Sequence, residues 1–316
     1  MRRLGLAAIL AAAACGVMAA AAEAPPAWLY IYQPPAEAPH YDDQQRRSLP
    51  GSPAQLTEAE YRSVFRVADW YPEDHPPAPP SVTQGERPER RACGSCHLLT
   101  GGGRPENASL AGLPADYIIG QMQAFADGSR INTPHNPVSM TATARAISPA
   151  QLAEAAAYFA ALPARRFGRV VEGATIPRVR PAGNLWRLDE AGGTEPLGER
   201  LIEVPDDYAR HEMRDPRLGY TAFVPPGSIA RGAALARDWG GGGAFACANC
   251  HGDDLRGDIA PRLAGRSPSY LLRQLYDFRS GARHNPAAAP MAEVTKQMSL
   301  AEMIALAAYL ADQPPS

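Results

Sequence analysis

Apolar residues recur every three or four positions along several stretches of the chain, which is the spacing of one face of an α-helix. The first stretch begins at Thr57, which forms a capping box with Glu60, and continues to Ala68. The longer stretches lie at 117–125, 152–162, 228–239, 270–278 and 303–310. The pattern therefore predicts a mainly helical protein whose main helices fall into two groups, one in each half of the chain.

The signals that begin and end these helices occur twice, in the same order. A serine with a glutamine or glutamate three residues later caps each final helix, and a glycine ends each middle helix. A Leu-Ala-Gly tripeptide precedes each middle helix. The matching pairs are Ser148 and Ser299, Gly128 and Gly281, and Leu110 and Leu263. Such repetition indicates two copies of one module, which we assign to residues 81–163 and 227–316.

The first 22 residues have the pattern of a secretory signal peptide. Arg2 and Arg3 precede an alanine-rich apolar run, and the small residues at 20–22 offer a cleavage site. The run is weakly apolar for a membrane span, and Cys15 lies in a sequence that loosely resembles a lipoprotein cleavage box. An uncleaved or lipidated N-terminus therefore stays open as a route to the membrane.

Two further segments lack the repeat. Residues 23–80 are rich in proline and aromatic residues, and they form either a docking arm for a partner or a strap that packs on the modules. Residues 164–226 show neither a strong helical period nor low complexity, although Val170, Ile176 and Val179 suit short strands. We predict an irregular N-terminal extension and a long irregular interdomain segment that covers a surface of the modules.

Length and composition agree with two domains joined by long connections. The chain has 316 residues, among them 32 prolines and 28 glycines, and a single core rarely needs this length. Acidic and basic residues nearly balance, for a formal net charge of -2. No overall field attracts nucleic acid or an anionic membrane surface, so neither is expected as a partner.

Four of the five cysteines lie in two copies of one motif, each near the start of a module. C-x-x-C-H is the attachment signature of c-type haem, in which both thiols bind the porphyrin and the histidine ligates the iron. A zinc site would require thiolates from both halves of the chain to converge, and neither zinc nor a redox dithiol explains the histidines. We therefore predict two covalently bound haem c groups, one held by Cys93, Cys96 and His97 and one held by Cys247, Cys250 and His251.

The chain resembles a tandem di-haem cytochrome c, with two class I-type domains in one periplasmic polypeptide. The shared features are the C-x-x-C-H motif, Leu-Ala-Gly, a Tyr-x-x-x-Gln helix, a later methionine and a serine-capped final helix. These features cover residues of roughly 85–163 and 228–313. The resemblance implies an all-α fold in which two cytochrome c-type helical domains stand in tandem.

The same resemblance implies the second iron ligand in each module. In this family, a methionine that follows the histidine along the chain binds the opposite face of the iron. Met140 and Met291 occupy matching places of this kind. His135 and His284 lie in the same loops and are the alternatives, because an imidazole also binds haem iron.

Two further features of the resemblance concern the surroundings of the haem. Arg130 and Arg283 stand at matching places, and they either hold haem propionates or lie in solvent. Family members place a proline before the leucine, and its carbonyl accepts the proximal imidazole proton. Pro261 fits this description, whereas Ala108 replaces the proline in the first module. We therefore expect His97 to be less securely oriented than its counterpart.

These features imply electron transfer and not enzymatic catalysis. The expected donor is a periplasmic dehydrogenase or a quinol-oxidising respiratory complex, and the expected acceptor is a terminal oxidase. One alternative is an electron-transfer subunit of a larger oxidoreductase. Another is a di-haem peroxidase, but that chemistry needs an open iron position, and each module has a candidate methionine. We expect a periplasmic protein that associates with the membrane only if its N-terminus is uncleaved or lipidated.

Overall fold

The computed structural model describes residues 24–32, 42–131, 140–239, 241 and 245–315. The predicted signal peptide (1–22) and the candidate ligand His135 lie outside these residues. In the part of the chain that is described, no helix has both the length and the apolar composition needed to cross a bilayer. The predicted module boundaries stay a prediction.

The N-terminal extension contains two short antiparallel strands, β1 (Arg46–Arg47) and β2 (Leu56–Thr57), and helix α1 (Glu58–Arg62). Thr57 caps α1 through the expected capping box. The predicted continuation of this helix to Ala68 is wrong. At Ser63 the backbone leaves the helical conformation. The residues that follow form hydrogen bonds with the segment before the first motif instead, and the Val67 amide donates to the Thr83 carbonyl at 2.9 Å.

Aromatic side chains fasten the described part of the extension to the rest of the protein. The Tyr30 hydroxyl donates to Asp277 Oδ1 at 2.5 Å, and the Trp70 indole nitrogen donates to the Met213 carbonyl at 2.7 Å. The first contact reaches the second module and the other reaches the interdomain segment. These contacts favour the strap over the docking arm.

The first module contains five helices in its described part: α2 (Pro80–Thr83), α3 (Gly94–His97), α4 (Ala115–Asp127), α5 (Met140–Ala146) and α6 (Pro149–Ala161). Gly128 ends α4 in the left-handed conformation, with φ of 85°, and Ser148 caps α6 through a capping box with Gln151. Both helix limits confirm the sequence signals. The apolar faces of α4 and α6 share one buried cluster with Leu113, to which α4 contributes Ile118 and α6 contributes Phe159.

The interdomain segment is not irregular, and the all-α prediction is wrong here. It contains strands β3 (Arg169–Glu172), β4 (Thr175–Pro177), β5 (Val179–Ala182), β6 (Leu185–Leu188), β7 (Thr194–Pro196), β8 (Ile202–Pro205) and β9 (Tyr220–Val224), with helix α7 (Tyr208–Glu212) before β9. Strand β9 lies between β3, which is parallel to it, and β8, which is antiparallel. Strands β4 and β7 form one antiparallel pair, and β5 and β6 form another.

Val170, Ile176 and Val179 lie in strands, as the sequence pattern suggested. Strands β8 and β9 were not predicted, for a physical reason. Every residue of β8 is buried, as are all but one of β9, so the alternation that marks a half-exposed strand is missing. The pairing partners also lie far apart along the chain, for example Arg169 and Thr221. The sheet therefore depends on contacts that a window of neighbouring residues does not contain.

The second module contains α8 (Ser228–Asp238), α9 (Ala248–His251), α10 (Pro268–Ser280), α11 (Ala289–Thr295) and α12 (Leu300–Asp312) in the described residues. Helix α8 crosses α12 closely at Gly232, which packs against the backbone of Ala305. This module has a long leading helix, whereas the equivalent α2 of the first module has a single turn. Its core contains the buried side chains of Leu272, Met303, Ile304, Leu306 and Leu310.

Candidate haem sites

The first motif lies at one wall of a cavity of about 310 Å³. Cys93 precedes the single-turn helix α3, and the His97 amide donates back to the Cys93 carbonyl at 3.0 Å. This turn brings both sulfurs and the imidazole to the same cavity. Met140, the first residue of α5, lines the cavity too. The structure therefore brings together the four residues that the sequence predicts for the first site.

The proximal imidazole is held through its Nδ1 atom in both modules. In the first, His97 Nδ1 lies 2.8 Å from the Ala108 carbonyl oxygen. In the second, His251 Nδ1 lies 2.6 Å from the Pro261 carbonyl oxygen. A backbone carbonyl thus holds the imidazole in both modules, and a proline is not required for it. That His97 is less securely oriented stays a prediction. The contact fixes the ring and leaves Nε2 available to a metal.

Burial sets the protonation of both motifs. It lowers the pKa of His97 and of His251 below the usual imidazole value, so the rings stay neutral and keep a lone pair for iron. It also raises the pKa of the Cys93 and Cys247 thiols to about 11. As free thiols these sulfurs are therefore uncharged, and as thioethers to a haem they would carry no charge either.

The second motif lies at the edge of the core of its own module, with His251 buried and Cys250 exposed. Cys247 and Met291 both pack against the buried cluster that includes Leu272 and Met303. The alternative ligand His284 is exposed, and its Nδ1 lies 2.9 Å from the Gly281 carbonyl oxygen. The methionine is therefore partly buried against the apolar core, whereas the histidine is at the surface. His135, the alternative in the first module, lies outside the described residues.

Two arginines join the modules beside the first cavity. Arg130 and Arg283 are buried, at 9% and 6% exposure, so the solvent alternative for them is wrong. Arg130 donates to Gln121 Oε1 and to Gln274 Oε1, each at 2.8 Å. Arg283 donates to Gln121 Oε1 at 2.7 Å and to Gln274 Oε1 at 3.1 Å. Each glutamine is thus shared by an arginine of its own module and by one of the other module.

This shared network is a feature that sequence reasoning did not predict. Its members occupy matching places in the two halves, and the Ile131 amide donates to the Ala282 carbonyl at 2.9 Å across the junction. The signal was present in the sequence as the repeated Tyr-x-x-x-Gln pattern. The pattern identified a shared helix, but it did not show that the two helices meet.

The residues of the first cavity fit a haem with two propionates. The lining is largely apolar, with Ile118, Phe125 and Phe159 among its side chains. Arg104 and Arg266 also line it, and their Nε atoms are buried without a hydrogen-bond partner among the described residues. Unpaired buried N–H groups are costly, and a bound carboxylate would satisfy them.

Comparisons with known proteins agree with this geometry. The family model for cytochrome c matches residues 229–314. Cytochrome c4 from Azotobacter vinelandii is 26% identical over 227 residues, which cover 69% of this chain and 82% of the relative. The chain is a tandem di-haem cytochrome c. It carries two covalently bound haem c groups and functions in electron transfer.

Two further proteins that are similar to this di-haem cytochrome have names that refer to thiosulfate dehydrogenase. The "Thiosulfate dehydrogenase electron acceptor" of Thiomonas intermedia (strain K12) is 28% identical over 243 residues, covering 76% of this chain and 86% of the relative. The solved thiosulfate dehydrogenase (TsdBA) from Marichromatium purpuratum shares 28% identity with a TM-score of 0.45, covering 71% of this chain and 37% of that chain.

These names contradict one prediction. The sequence predicts an electron carrier and not an enzyme, because each module has a candidate methionine. The relative from Thiomonas intermedia belongs by name to a thiosulfate dehydrogenase system, so the prediction that the chain is not an enzyme is contradicted. A candidate methionine ligand in each module is compatible both with a free electron carrier and with a component of an enzyme system.

Proposed function

We propose that this di-haem cytochrome receives electrons within a periplasmic thiosulfate-oxidising dehydrogenase system and passes them to a further redox protein. The observation that supports the donor is the relative from Thiomonas intermedia, which is named as the electron acceptor of thiosulfate dehydrogenase. Its similarity extends over 76% of this chain and 86% of the relative. The similarity is therefore not limited to the haem motifs.

The residues have distinct roles in this proposal. Cys93 and Cys96 attach one haem, and Cys247 and Cys250 attach the other. His97 and His251 are the proximal ligands, held by the carbonyls of Ala108 and Pro261. Met140 and Met291 are the distal ligands. When bound, each haem supplies a one-electron Fe(III)/Fe(II) couple, and a methionine–histidine ligand pair gives a higher potential than two histidines.

The contact between the modules supports transfer from one site to the other within the chain. Arg266, Tyr270, Arg273 and Gln274 all belong to the second module, yet they line the cavity of the first. The two sites are therefore separated by the packed helices of a buried interface and not by solvent. Arg130 and Arg283 are buried at this interface, and burial reduces the reorganisation of water that accompanies each change of charge.

The donor is tested by mixing the purified oxidised cytochrome with thiosulfate and a purified thiosulfate dehydrogenase. We expect the reduced haem c spectrum to appear when both are present, and not when either is left out. A matched reaction with a different periplasmic dehydrogenase and its substrate is the control for unspecific reduction. If the cytochrome stays oxidised while an artificial acceptor is reduced at the usual rate, the proposed donor is wrong.

The ligands are tested by replacing the methionines one at a time. Met140→Ala and Met291→Ala should each remove the sulfur-to-iron charge-transfer absorption of one haem and lower one of two midpoint potentials. Met122→Leu is the matched control, since Met122 also lines the first cavity. His284→Gln is the control in the second module. An unchanged spectrum in either alanine variant, or a lost band in His284→Gln, would refute the assignment in that module.

A further inference from the structure

The two motifs are equivalent in sequence, but the loops that follow them differ in how far they are buried. We compare the first loop (residues 98–107) with the second loop (residues 252–260), each of which connects its histidine to the carbonyl that holds it. Both loops begin with the same backbone hydrogen bond to the histidine. The Gly103 amide donates to the His97 carbonyl at 3.0 Å, and the Gly257 amide donates to the His251 carbonyl at 2.9 Å. The difference between them is therefore one of surroundings.

The first loop is covered by other parts of the chain. None of its residues is exposed. Arg273 of the second module donates to the Pro105 carbonyl. His211 of the interdomain segment is buried, and its Nε2 lies 3.7 Å from Glu106 Oε1. A partner protein has no direct approach to this edge of the first site.

The second loop is open. Ile259 is 80% exposed, and Phe245, which lies just before the motif, is 45% exposed. Cys250 is exposed as well, whereas its counterpart Cys96 is half-buried. The Ala260 amide donates to the Cys250 carbonyl at 2.9 Å, so the loop lies directly against the cysteine that attaches the second haem. Two large apolar side chains are therefore exposed on the segments that flank the second motif, and exposed apolar surface is a feature of interaction sites when it is contiguous.

The charges around this apolar surface are mainly negative. Asp253, Asp254 and Asp258 are exposed on the second loop. The loop has one basic residue, Arg256, and its guanidinium lies 3.5 Å from the Asp254 carboxylate. At the end of α8, the exposed Arg237 and Asp238 offset one another. The loop therefore presents a net negative rim, which attracts a positively charged surface.

We propose that Phe245, Cys250 and Ile259, with the three aspartates around them, form the docking surface for a redox protein whose own cofactor edge is rimmed by lysine or arginine. One electron crosses this surface in each encounter, and no atom or proton is transferred. The proposal rests on the proposed function only in that the chain exchanges electrons with other proteins. In this proposal, electrons are exchanged with other proteins at the haem of the second module. The haem of the first module exchanges electrons only with the second haem at this edge.

The test uses a lysine-rimmed mitochondrial-type cytochrome c as the probe partner. Stopped-flow mixing measures the second-order rate of electron exchange between it and the full-length holoprotein over a range of salt concentrations. The Asp253→Asn/Asp254→Asn/Asp258→Asn variant should exchange at least about tenfold more slowly at low salt, with a weaker dependence on salt. The matched control is Glu89→Gln/Asp116→Asn/Glu199→Gln, which neutralises three exposed carboxylates elsewhere and should retain the wild-type rate.

The apolar part of the surface has its own control. Ile259→Asn should slow exchange at every salt concentration without changing the slope, because it removes contact area and not charge. Leu188→Asn, at another exposed apolar residue (44% exposed), should have no effect. Reduction by a small uncharged reductant should be nearly the same in all variants. The midpoint potential of each variant is measured as well, because removing carboxylates near a haem raises its potential and the exchange rate must be compared at equal driving force. Amide NMR shifts on adding the probe should map to residues 245–260.

Three outcomes would overturn the proposal: equal slowing by both triple variants, no slowing by the aspartate variant, or NMR shifts confined to the first module. The proposed donor is a separate question. If thiosulfate dehydrogenase fails to reduce the wild-type protein while the aspartate variant still slows exchange with the probe, the donor is wrong and the docking surface stands.

Discussion

Replacing Gly232 with alanine should strongly destabilise the second module. Gly232 lies within α8 where this helix crosses α12. An added Cβ would lie 2.0 Å from the Ala305 carbonyl oxygen and 2.7 Å from the Tyr309 Cβ. Carbon and carbonyl oxygen normally stay about 3.3 Å apart, so the two helices would have to separate by about 1 Å. The Ala305 oxygen belongs to backbone and has no rotamer with which to move aside.

The size of the effect follows from two opposing contributions. Overpacking of a close interface costs about 1–3 kcal/mol and occasionally more, and here the obstacle is rigid. Alanine in place of glycine inside a helix returns up to about 1 kcal/mol. Because the α8–α12 crossing supports the core beside the second haem, we expect a net loss of about 2 kcal/mol in the free energy of unfolding.

Gly120→Ala is the matched control. Gly120 lies within α4, and among the described residues no atom beyond its chain neighbours and the backbone of its own helix lies within 4 Å of where its Cβ would stand. The same substitution should therefore stabilise the protein by about 0.5–1 kcal/mol. Urea unfolding of the holoprotein, followed by circular dichroism and by haem absorbance, measures both changes. If Gly232→Ala proves as stable as Gly120→Ala, the close crossing of α8 and α12 is wrong.

Three further predictions concern buried polar groups. Burial lowers the pKa of His211 from 6.5 to about 4, so the unfolded chain binds the proton more readily, and stability should fall as the pH drops below about 6.5. Between pH 7 and pH 5 this amounts to a loss of about 2 kcal/mol, which urea titrations should show in the wild type and which should shrink in His211→Gln. Gln274→Leu removes the acceptor of two arginine hydrogen bonds and should cost about 2–4 kcal/mol; Gln123→Leu, at an exposed position of α4, should cost little by the same assay. Tyr30→Phe leaves the buried Asp277 carboxyl without its hydroxyl donor and should cost about 1–3 kcal/mol, whereas a wild-type denaturation midpoint would show that the strap adds no stability.

Local signals in the sequence were enough for the chemistry and for most helices. The two C-x-x-C-H motifs identified the cofactor, because covalent attachment needs two thiols and a histidine at fixed spacing within one turn of chain. The helix limits at Gly128 and Ser148 followed from backbone groups that a neighbouring residue satisfies. Such interactions lie within a few residues, so the sequence alone contains them.

Tertiary structure decided the features that join distant residues. The pairing of β3 with β9, the burial of Arg130 and Arg283 between glutamines of both modules, and the early end of α1 all depend on partners far along the chain. The difference between the two loops is of the same kind. The motifs are alike, but one is covered by Arg273 and His211 and the other is exposed, because burial is a property of the assembled surface and not of any local stretch of sequence.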